Sequence, residues 1–533
     1  MNIIVKSALI IDGTNAPGYI GDIFIKEDRI DKILTDPILS GELEKEANHV
    51  IDAKGLVCAP GFIDTHSHSD LKVLSDPMLL PKLKQGITTE VLGQDGIAMA
   101  PLPLAYIEPW RKNLAGLDGE NNAIDWTFQD TKHYLQMIEA AKPALNESYL
   151  LPHGNVRMEA MGLSDKSPTN EDIQKMCAIT RREMEAGCIG FSSGLIYMPC
   201  AFSQTEEIIE ICKVVKEYNG LFVVHQRSEA DTILSSMDEI LRIGRESGVK
   251  IHFSHFKVCG KQNWDKLPAM LHKLDQAKAE GIEVSLDQYP YIAGSTMLGV
   301  ILPPWVHDGG TDQLVLRLQS KELREKMKQD IQNGISGWDN FVQFAGTEGI
   351  FVTSVLSDKN QNIVGLSLDE IGTKWEVEPL DAAFDLLLEE KNAVGMVDFY
   401  GTEDHVISIL KRPETNVCTD GLLSGKPHPR VYGSFPRVLG KYARENALFT
   451  MEEAVYKMTG KAAKAFHIKE RGIIKEGYFA DITIFNPSTV IDKGTFSNPE
   501  QYPEGIAYVI VNGQIEIALG EFTGDRAGRV IRR

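Results

Sequence analysis

Short apolar segments alternate with longer amphipathic ones along most of the chain. From Phe62 onward, segments rich in β-branched and apolar residues predict buried strands, and the stretches between them have helical periodicity and often end at glycine. This alternation is typical of βα units around a parallel sheet. Including the segment that leads to His68, we predict eight such strands, of which the other seven lie at 87–93, 148–155, 187–194, 221–227, 250–257, 282–291 and 415–421. The sequence therefore predicts an α/β fold with a TIM-like (β/α)8 barrel.

The two ends of the chain have a different pattern, with short strands separated by turn signals such as Asp12-Gly13 and Pro17-Gly18. Because residues 1–58 share this pattern with the segments GYFADITIF and IAYVIVNGQIEI, we expect the two ends to pair with each other. The predicted domains are a small β-sandwich of residues 1–60 and 470–533 and a barrel of residues 61–469. A less regular insertion at about 294–357 interrupts the barrel and is expected to act as a lid.

Charge and cysteine content narrow the range of functions. Asp and Glu total 75 against 55 for Lys and Arg, and the net charge of −20 disfavours a nucleic acid partner. The seven cysteines are scattered without a CxxC pair, which is typical of a reducing compartment rather than a disulfide framework. The sequence has no signal-peptide pattern and no apolar run of membrane-spanning length, so we expect a cytoplasmic protein without a membrane partner. A homo-oligomer is compatible with this composition.

Two histidines follow the first predicted barrel strand, in the stretch APGFIDTHSHSD at residues 59–70. In an extended chain, side chains at i and i+2 lie on the same face, so His66 and His68 are expected to project together. Neutral imidazole is a preferred ligand of zinc. Taken alone, the pair is equally compatible with a polar strand end that carries two solvated histidines.

Further polar side chains follow the later strands at their carboxyl ends, the edge at which a barrel carries its active site. They are Asp95, His225, His255, Tyr289 and Asp420. Taken singly, each is compatible with an ordinary hydrogen-bonded residue. Taken together with the first pair, the four histidines and two carboxylates are a ligand set suited to one or two zinc ions. His252 lies on the opposite face of its strand from His255 and is interpreted as structural.

Asp420 is the carboxylate that we assign as the catalytic base. It ends the last predicted strand, and Gly421 directly after it is expected to let the chain turn away. In metal-dependent hydrolases the ion lowers the pKa of its bound water to about 7, and a carboxylate accepts the proton. The same group can then protonate a leaving amine. The pattern therefore predicts a metal-dependent hydrolase.

Several longer strings resemble known families. APGFIDTHSHSD, HFSHFK, the TDG turn and IIKEGYFADITIF resemble the amidohydrolase superfamily. Within it, GFSSGLIY, SHFKVCG, DQYPYIAGST, HPRVYGSFPRVLG and TGDRAGRVIRR are similar to the N-acyl-D-amino-acid deacylases, also called D-aminoacylases. The resemblance implies a metal-dependent amide hydrolase that removes the N-acyl group from N-acyl-D-amino acids, or cleaves related D-amino-acid amides or dipeptides. It implies a barrel with a β-sandwich, metal ligation by His66, His68, His225 and His255, and catalysis by Asp420.

One position departs from the family pattern. Where the well-known members have a GNCG loop whose cysteine binds or bridges the metals, this chain has GQDG, with Asp95 in place of the cysteine. Asp95 is therefore expected to be a metal ligand, and a carboxylate can also bridge two ions. Because it is a harder ligand than thiolate, the expected cofactor is one or two zinc ions, with manganese or cobalt as alternatives.

The resemblance also implies where the substrate binds. Cationic and hydroxyl groups surround the α-carboxylate of the D-amino acid in this family, and the matching positions are Lys257, Tyr289, Ser295 and Arg430. A side-chain pocket is expected near Tyr197, Met198 and Cys200. Because the segment LIYMPCA contains no cation, we expect neutral or apolar D side chains rather than acidic ones.

Two other functions remain open from the sequence. A cyclic-amide hydrolase of the dihydroorotase or hydantoinase kind uses the same barrel, but such enzymes usually bridge their metals with a carboxylated lysine, and no lysine lies at the expected strand end. The second alternative is a barrel that has lost its metals and serves as a scaffold. The complete set of predicted ligands is an argument against such a loss.

Overall fold

The computed structural model describes residues 1–119, 121 and 123–533. Its strands, in chain order, are β1 (Asn2–Ile10), β2 (Tyr19–Lys26), β3 (Arg29–Leu34), β4 (His49–Asp52), β5 (Val57–Pro60), β6 (Phe62–Asp64), β7 (Ile87–Leu92), β8 (Asn146–Pro152), β9 (Gly190–Gly194), β10 (Leu221–His225), β11 (Lys250–Phe253), β12 (Val284–Gln288), β13 (Ala293–Met297), β14 (Ile350–Ser354), β15 (Gly395–Phe399), β16 (Thr415–Val417), β17 (Ile482–Phe485), β18 (Ile506–Val511), β19 (Gln514–Ala518), β20 (Glu521–Phe522) and β21 (Val530–Ile531).

The α-helices are α1 (Pro37–Glu44), α2 (Lys72–Ser75), α3 (Leu80–Leu83), α4 (Ile107–Asp118), α5 (Thr131–Ala141), α6 (His153–Met161), α7 (Asn170–Ala186), α8 (Thr205–Glu217), α9 (Ile233–Ser247), α10 (Leu267–Ala279), α11 (Thr311–Leu318), α12 (Lys321–Asn333), α13 (Phe341–Ala345), α14 (Leu368–Trp375), α15 (Pro379–Glu389), α16 (Glu403–Leu410), α17 (Arg430–Arg437), α18 (Met451–Met458) and α19 (Gly460–Ala465). Short 3₁₀ turns connect several of them, and a π-helical segment, Val438–Glu445, continues α17.

The barrel consists of the eight predicted strands. They pair in parallel in the order β6, β7, β8, β9, β10, β11, β12 and β16, and a parallel bridge between Ser67 and Gly421 joins the last strand to the first. Every residue of β7, β8, β9 and β10 is buried, as expected for parallel strands that are covered by helices outside and by side chains inside. The predicted barrel is confirmed.

Strands from the two ends of the chain form one nine-stranded sheet. It runs in the order β20, β19, β18, β17, β5, β1, β2 and β3, with β4 paired to β1. The junction between the two ends is the antiparallel pair β5–β17, in which Cys58 lies opposite Ile484. This confirms the predicted pairing. The chain continues from β5 through Gly61 into β6, and the first predicted ligands follow that strand.

A third sheet lies in the chain between β12 and β16. Its antiparallel strands β13, β15 and β14 pack with α11–α15 around a separate apolar cluster that includes Leu318, Ile350 and Leu387. The chain therefore leaves the barrel at Ala293 and still forms part of this sheet at Phe399. Where the domain boundaries lie remains a prediction. No helix in the described part of the chain is long and apolar enough to span a membrane.

Candidate metal centre

The candidate site lies at the carboxyl ends of the barrel strands. His66 and His68 follow β6, and Asp420 follows β16. The Asp420 N–H donates to the His66 carbonyl at 2.8 Å, and the His68 N–H donates to the Gly421 carbonyl at 3.3 Å. The bonds that join the first and last barrel strands therefore also fix two of the predicted ligands relative to the predicted base.

Three residues of the site have a left-handed backbone. The φ angle is 54° at Asp95, 34° at His255 and 48° at Asp420. Such a conformation costs an ordinary residue on the order of 1 kcal/mol or more and is found where the surrounding structure imposes it. Asp420 itself thus makes the turn after β16. Our expectation that Gly421 makes it was wrong, since Gly421 does not have a positive φ.

The GQDG loop after β7 is held tightly against β8 and β9. Ser192 Oγ accepts a hydrogen bond from Gly96 N–H at 3.1 Å and donates to the Gly93 carbonyl at 2.5 Å. A Cβ atom on Gly93 would lie 2.2 Å from the Leu150 carbonyl oxygen, so only glycine allows this approach. The loop therefore presents Asp95 from a rigid turn.

The ring nitrogens of His66 and His68 lie close to each other and to one oxygen each of Asp420 and Asp95. His66 Nε2 and His68 Nε2 are 3.3 Å apart. Asp420 Oδ1 lies 3.6 and 3.4 Å from these two nitrogens, and Asp95 Oδ2 lies 3.6 and 3.5 Å from them. Around a tetrahedral zinc ion with bonds of about 2.1 Å, neighbouring ligand atoms are about 3.4 Å apart. His66 Nε2 and His68 Nε2 form a triangle with either carboxylate oxygen whose edges of 3.3 to 3.6 Å fit three ligands of such an ion, and three protein ligands leave a position for water.

Asp95 also faces a second group of potential ligands. Its Oδ1 lies 3.7 Å from His255 Nε2, while its Oδ2 faces the first pair of histidines. The ring of His225 is 4.5 Å from that of His255, and both ring nitrogens of His225 are buried with no hydrogen-bond partner among the described residues. Unpartnered buried nitrogens are costly unless a ligand occupies them. The two oxygens of Asp95 therefore face two different groups of potential ligands.

The titration behaviour of the site agrees with this fit. Burial lowers the pKa of His68, but Asp420 and Asp95 outweigh burial and raise it to about 10. Burial and Lys257 lower the pKa of His255, yet its carboxylate neighbours raise it to about 9, whereas burial lowers the pKa of His225 to about 4. The neighbouring carboxylates therefore stabilise a positive charge on His68 and His255. A divalent cation can replace these protons, because metal binding requires neutral imidazole.

Asp420 has a second partner on its other oxygen. Arg430 is fully buried, and its Nη1 lies 3.0 Å from Asp420 Oδ2. Burial raises the pKa of Asp420, but Arg430 and His66 more than compensate and hold that pKa well below its usual range. One oxygen is therefore fixed by the guanidinium, and the other faces His66 and His68.

The four predicted substrate-binding residues all line the same cavity. Lys257 Nζ lies 2.7 Å from Glu229 Oε2, and the Tyr289 and Tyr400 hydroxyls are 2.6 Å apart. Ser295 Oγ donates to the Met396 carbonyl at 2.9 Å, and Arg430 stacks over the Tyr289 ring at 4.4 Å. The site residues predicted from the sequence are thus brought together at one end of the barrel: His66, His68, Asp95, His225, His255, Lys257, Tyr289, Ser295, Asp420 and Arg430.

Two of the three residues predicted near a side-chain pocket line cavities at this end of the barrel. Tyr197 lines the metal cavity, and Met198 lines an adjoining one. Cys200 lines neither, because its Sγ is buried behind the GQDG loop and donates to the Gly96 carbonyl at 3.5 Å. The expectation for Cys200 was therefore wrong.

Comparison with known proteins identifies the family. The amidohydrolase family profile matches residues 49–302 and 419–516, which include seven of the eight barrel strands and part of the terminal sheet but not β14, β15 or β16. The chain belongs to the amidohydrolase family. The D-aminoacylase of Alcaligenes xylosoxydans xylosoxydans is 35% identical over 534 residues, which cover 100% of this chain and 98% of that protein. The N-acyl-D-aspartate deacylase of the same organism is 32% identical over 99% of this chain and 94% of its own length.

A solved structure matches this amidohydrolase over its whole length. It is the N-acyl-D-glutamate deacylase from Bordetella bronchiseptica, crystallised with zinc and a phosphonate inhibitor that mimics the tetrahedral intermediate. The TM-score is 0.84 at 33% identity, and the alignment covers 100% of this chain and 99% of that one. Similar proteins thus include deacylases named for different D-amino acids.

A buried ionic network contacts the residues that directly precede His66 and Asp420 in this amidohydrolase. Lys82 Nζ contacts Asp64 Oδ2 at 2.8 Å, Glu90 Oε1 at 2.6 Å and Thr419 Oγ1 at 2.8 Å, all without solvent exposure. Asp64 Oδ1 accepts from the Thr419 N–H at 2.8 Å. The network therefore ties the segment before His66 to the segment before Asp420. His252 has the structural role predicted for it, with Nε2 2.9 Å from Asp287 Oδ2.

Sequence reasoning missed two carboxylates of the site. Glu229 Oε1 lies 3.1 Å from His255 Nδ1, and His225, His255 and Glu229 together form a group of potential ligands. Asp339, in the segment before α13, accepts from the Ser228 hydroxyl and the Glu229 N–H, both at 2.6 Å. The position of Glu229 four residues after His225 was a signal that could have been used. Asp339 offered no such signal, because it is distant in sequence.

Proposed function

We propose that this protein hydrolyses N-acyl-D-amino acids to a carboxylate and a free D-amino acid, using one or two zinc ions, with manganese or cobalt as alternatives. The proposed ligands are His66, His68, Asp95, His225, His255 and Asp420. The observation that carries the proposal is the spacing of His66 and His68 from each other and from Asp95 and Asp420, which matches the edge lengths of a zinc shell. The full-length similarity to D-aminoacylase supports the choice of substrate.

Asp420 acts as the base in this proposal. When bound, the metal supplies a water of lowered pKa and polarises the amide carbonyl. Asp420 Oδ1 accepts the proton and later delivers it to the leaving nitrogen, which becomes the amine of the D-amino acid. Since Arg430 holds Oδ2 at 3.0 Å, Oδ1 stays on the side of the two histidines during both transfers.

The α-carboxylate of the substrate is proposed to bind beside Lys257, Tyr289, Ser295 and Arg430. These residues offer two cations and two hydroxyl groups in one buried cavity. Arg430 has a double role here, because Nη1 forms an ion pair with Asp420, while neither Nη1 nor Nε has a hydrogen-bond partner among the described residues. The carboxylate position is thereby coupled to the base.

A neutral D side chain is the best fit to the adjoining cavity. That cavity has a volume of about 320 Å³ and is lined by apolar groups that include Met198, Trp338 and Phe341. Its cation, Arg227, already contacts Glu239 Oε2 at 2.9 Å and the carbonyls of Ala201 and Ser203 at 3.0 and 3.1 Å. An acidic side chain would find Arg227 already neutralised, which supports an apolar preference.

The test is a substrate panel with the protein as purified and after addition of zinc, manganese or cobalt. We expect turnover of N-acetyl-D-leucine, N-acetyl-D-methionine and N-acetyl-D-phenylalanine, much slower turnover of N-acetyl-D-glutamate and N-acetyl-D-aspartate, and no turnover of the L forms. Turnover of dihydroorotate or hydantoins alone would refute the proposal. A protein without bound metal that hydrolyses nothing would favour the scaffold alternative.

The setting of the enzyme is part of the proposal. All seven cysteines are free and six are buried, which supports a reducing, cytoplasmic environment. A homo-oligomer is proposed as well, and gel filtration with light scattering measures it. Whether the protein is a monomer or a homo-oligomer, its proposed binding partner is the small-molecule N-acyl-D-amino acid substrate.

A further inference from the structure

Glu229 connects two parts of the site that have different roles. One oxygen, Oε1, lies 3.1 Å from His255 Nδ1, and the other, Oε2, lies 2.7 Å from Lys257 Nζ. The same Oε2 is 3.6 Å from His225 Nε2. Because the carboxylate is only 4% exposed, solvent does not compete for these contacts. Glu229 therefore touches two proposed metal ligands and one proposed substrate cation at once.

The contacts of His255 make its protonation form depend on Glu229. Lys257 Nζ lies 2.7 Å from His255 Nδ1. Because the lysine ammonium can only donate hydrogen bonds, a hydrogen bond between the two atoms requires Nδ1 to be unprotonated. The ring proton would then sit on Nε2, which faces Asp95 and could not bind a metal ion. Glu229 offers Nδ1 an acceptor instead, and it draws the ammonium of Lys257 to its other oxygen. The hydrogen bond on one ring nitrogen sets the form of the other.

We propose that Glu229 is a positioning residue that keeps His255 Nε2 free for the metal and holds Lys257 toward the substrate carboxylate. The inference rests on the proposed function for the role of Lys257, but its metal-binding half does not depend on the substrate. Carboxylates that orient ligating histidines typically account for 10- to 100-fold in metal affinity.

The inserted segment fixes Glu229 in turn. Asp339 accepts from the Glu229 N–H and the Ser228 hydroxyl, both at 2.6 Å, and is itself buried. Asp339 also lines both the metal cavity and the adjoining apolar cavity. The segment that borders the substrate space is therefore bonded directly to the residue that positions His255.

The test compares Glu229→Gln with the native protein and with Glu183→Gln. Glu183 is a matched control, because it is a fully buried, ion-paired carboxylate that lies outside the site and accepts from the Thr131 N–H at 2.7 Å. Zinc affinity is measured by competition with a chromophoric chelator, metal content by mass spectrometry, and folding by thermal unfolding. We expect Glu229→Gln to bind zinc 10- to 100-fold more weakly, with full stoichiometry at excess zinc. Glu183→Gln should lose stability with unchanged zinc affinity.

Kinetics at saturating zinc test the second half. We expect Glu229→Gln to regain much of its kcat but to keep a KM raised about tenfold, because Lys257 is no longer held. Glu229→Asp retains the charge on a shorter side chain, so its zinc affinity and KM should lie between those of the native protein and of Glu229→Gln. It replaces the glutamine variant in the test if that variant does not fold.

Unchanged zinc affinity in a folded variant would overturn the inference. Loss of a metal equivalent that excess zinc does not restore would make Glu229 a ligand and overturn the positioning role. If the native protein hydrolyses no N-acyl-D-amino acid, the proposed function fails, and the zinc comparison still decides the role of Glu229.

Discussion

Replacing Asp420 with asparagine separates metal binding from catalysis. The substitution removes the base but leaves a side chain of nearly the same size between Arg430 and the two histidines. Asp95 Oδ2 still faces His66 Nε2 and His68 Nε2 at 3.6 and 3.5 Å, so these nitrogens keep an anionic neighbour. We therefore expect Asp420→Asn to retain its metal.

The expected loss of rate follows from the two proton transfers that Asp420 makes. General acid–base catalysis contributes about 10²- to 10⁴-fold, which corresponds to roughly 3 to 5 kcal/mol in the barrier. The variant also loses the charge that compensates the fully buried Arg430, and breaking a buried ion pair costs about 3 to 5 kcal/mol in the free energy of unfolding. The asparagine oxygen can still accept from Arg430, so the loss of stability should lie below that range.

The assay measures kcat and KM for N-acetyl-D-leucine together with metal content and thermal unfolding. A matched control is Asp481→Asn directly before β17, where Asp481 is paired with the buried Arg471 and accepts from Asn146 Nδ2 at the amino end of β8, opposite the site. The control should lose comparable stability with kcat unchanged. Near-native kcat in a folded, metal-loaded Asp420→Asn protein would refute the assignment of the base.

Three further predictions concern the metal, the substrate and stability. Asp95→Cys should raise the ratio of zinc to manganese in protein grown with both metals, since thiolate is the softer ligand, and an unchanged ratio would place Asp95 outside the ligand set. Met198→Lys places a cation on the wall of the apolar cavity. This variant should raise kcat/KM for N-acetyl-D-glutamate about tenfold and lower it for N-acetyl-D-leucine. If neither value changes, that cavity does not bind the substrate side chain. Burial raises the pKa of Glu516 to about 9, so the folded protein keeps a proton that the unfolded chain releases near pH 4. The free energy of unfolding should therefore fall as the pH rises from about 4 to 9, by at most about 1.4 kcal/mol per pH unit. Glu516→Gln should remove that fall in thermal unfolding between pH 5 and 9, whereas the exposed Glu521→Gln should not.

The sequence predicted the parts of the protein that depend on local pattern. Eight apolar strands with polar ends were sufficient for the barrel, and the alternation of His66 and His68 was sufficient to place them on one face. Contacts across the fold were not accessible in this way. Glu229 contacts His255 from a different strand end, and only its spacing of four residues from His225 marked it, whereas Asp339 reaches Glu229 from the inserted segment and had no spacing that marked it. Arg430 was expected at the substrate carboxylate, and its contact with Asp420 comes from the fold and not from any local pattern.

The pairing of β5 with β17 has a consequence for the synthesis of the protein. About 420 residues separate Pro60 from Ile482, the first residue of β17. At about 5 to 20 residues per second, a ribosome needs roughly 20 to 80 seconds to deliver that partner. During this time β5 is an unpaired edge directly before the strand that leads to His66, and the barrel is open because β16 is also late. The first pair of histidines can therefore meet Asp420 only late in synthesis, after β16 has been made.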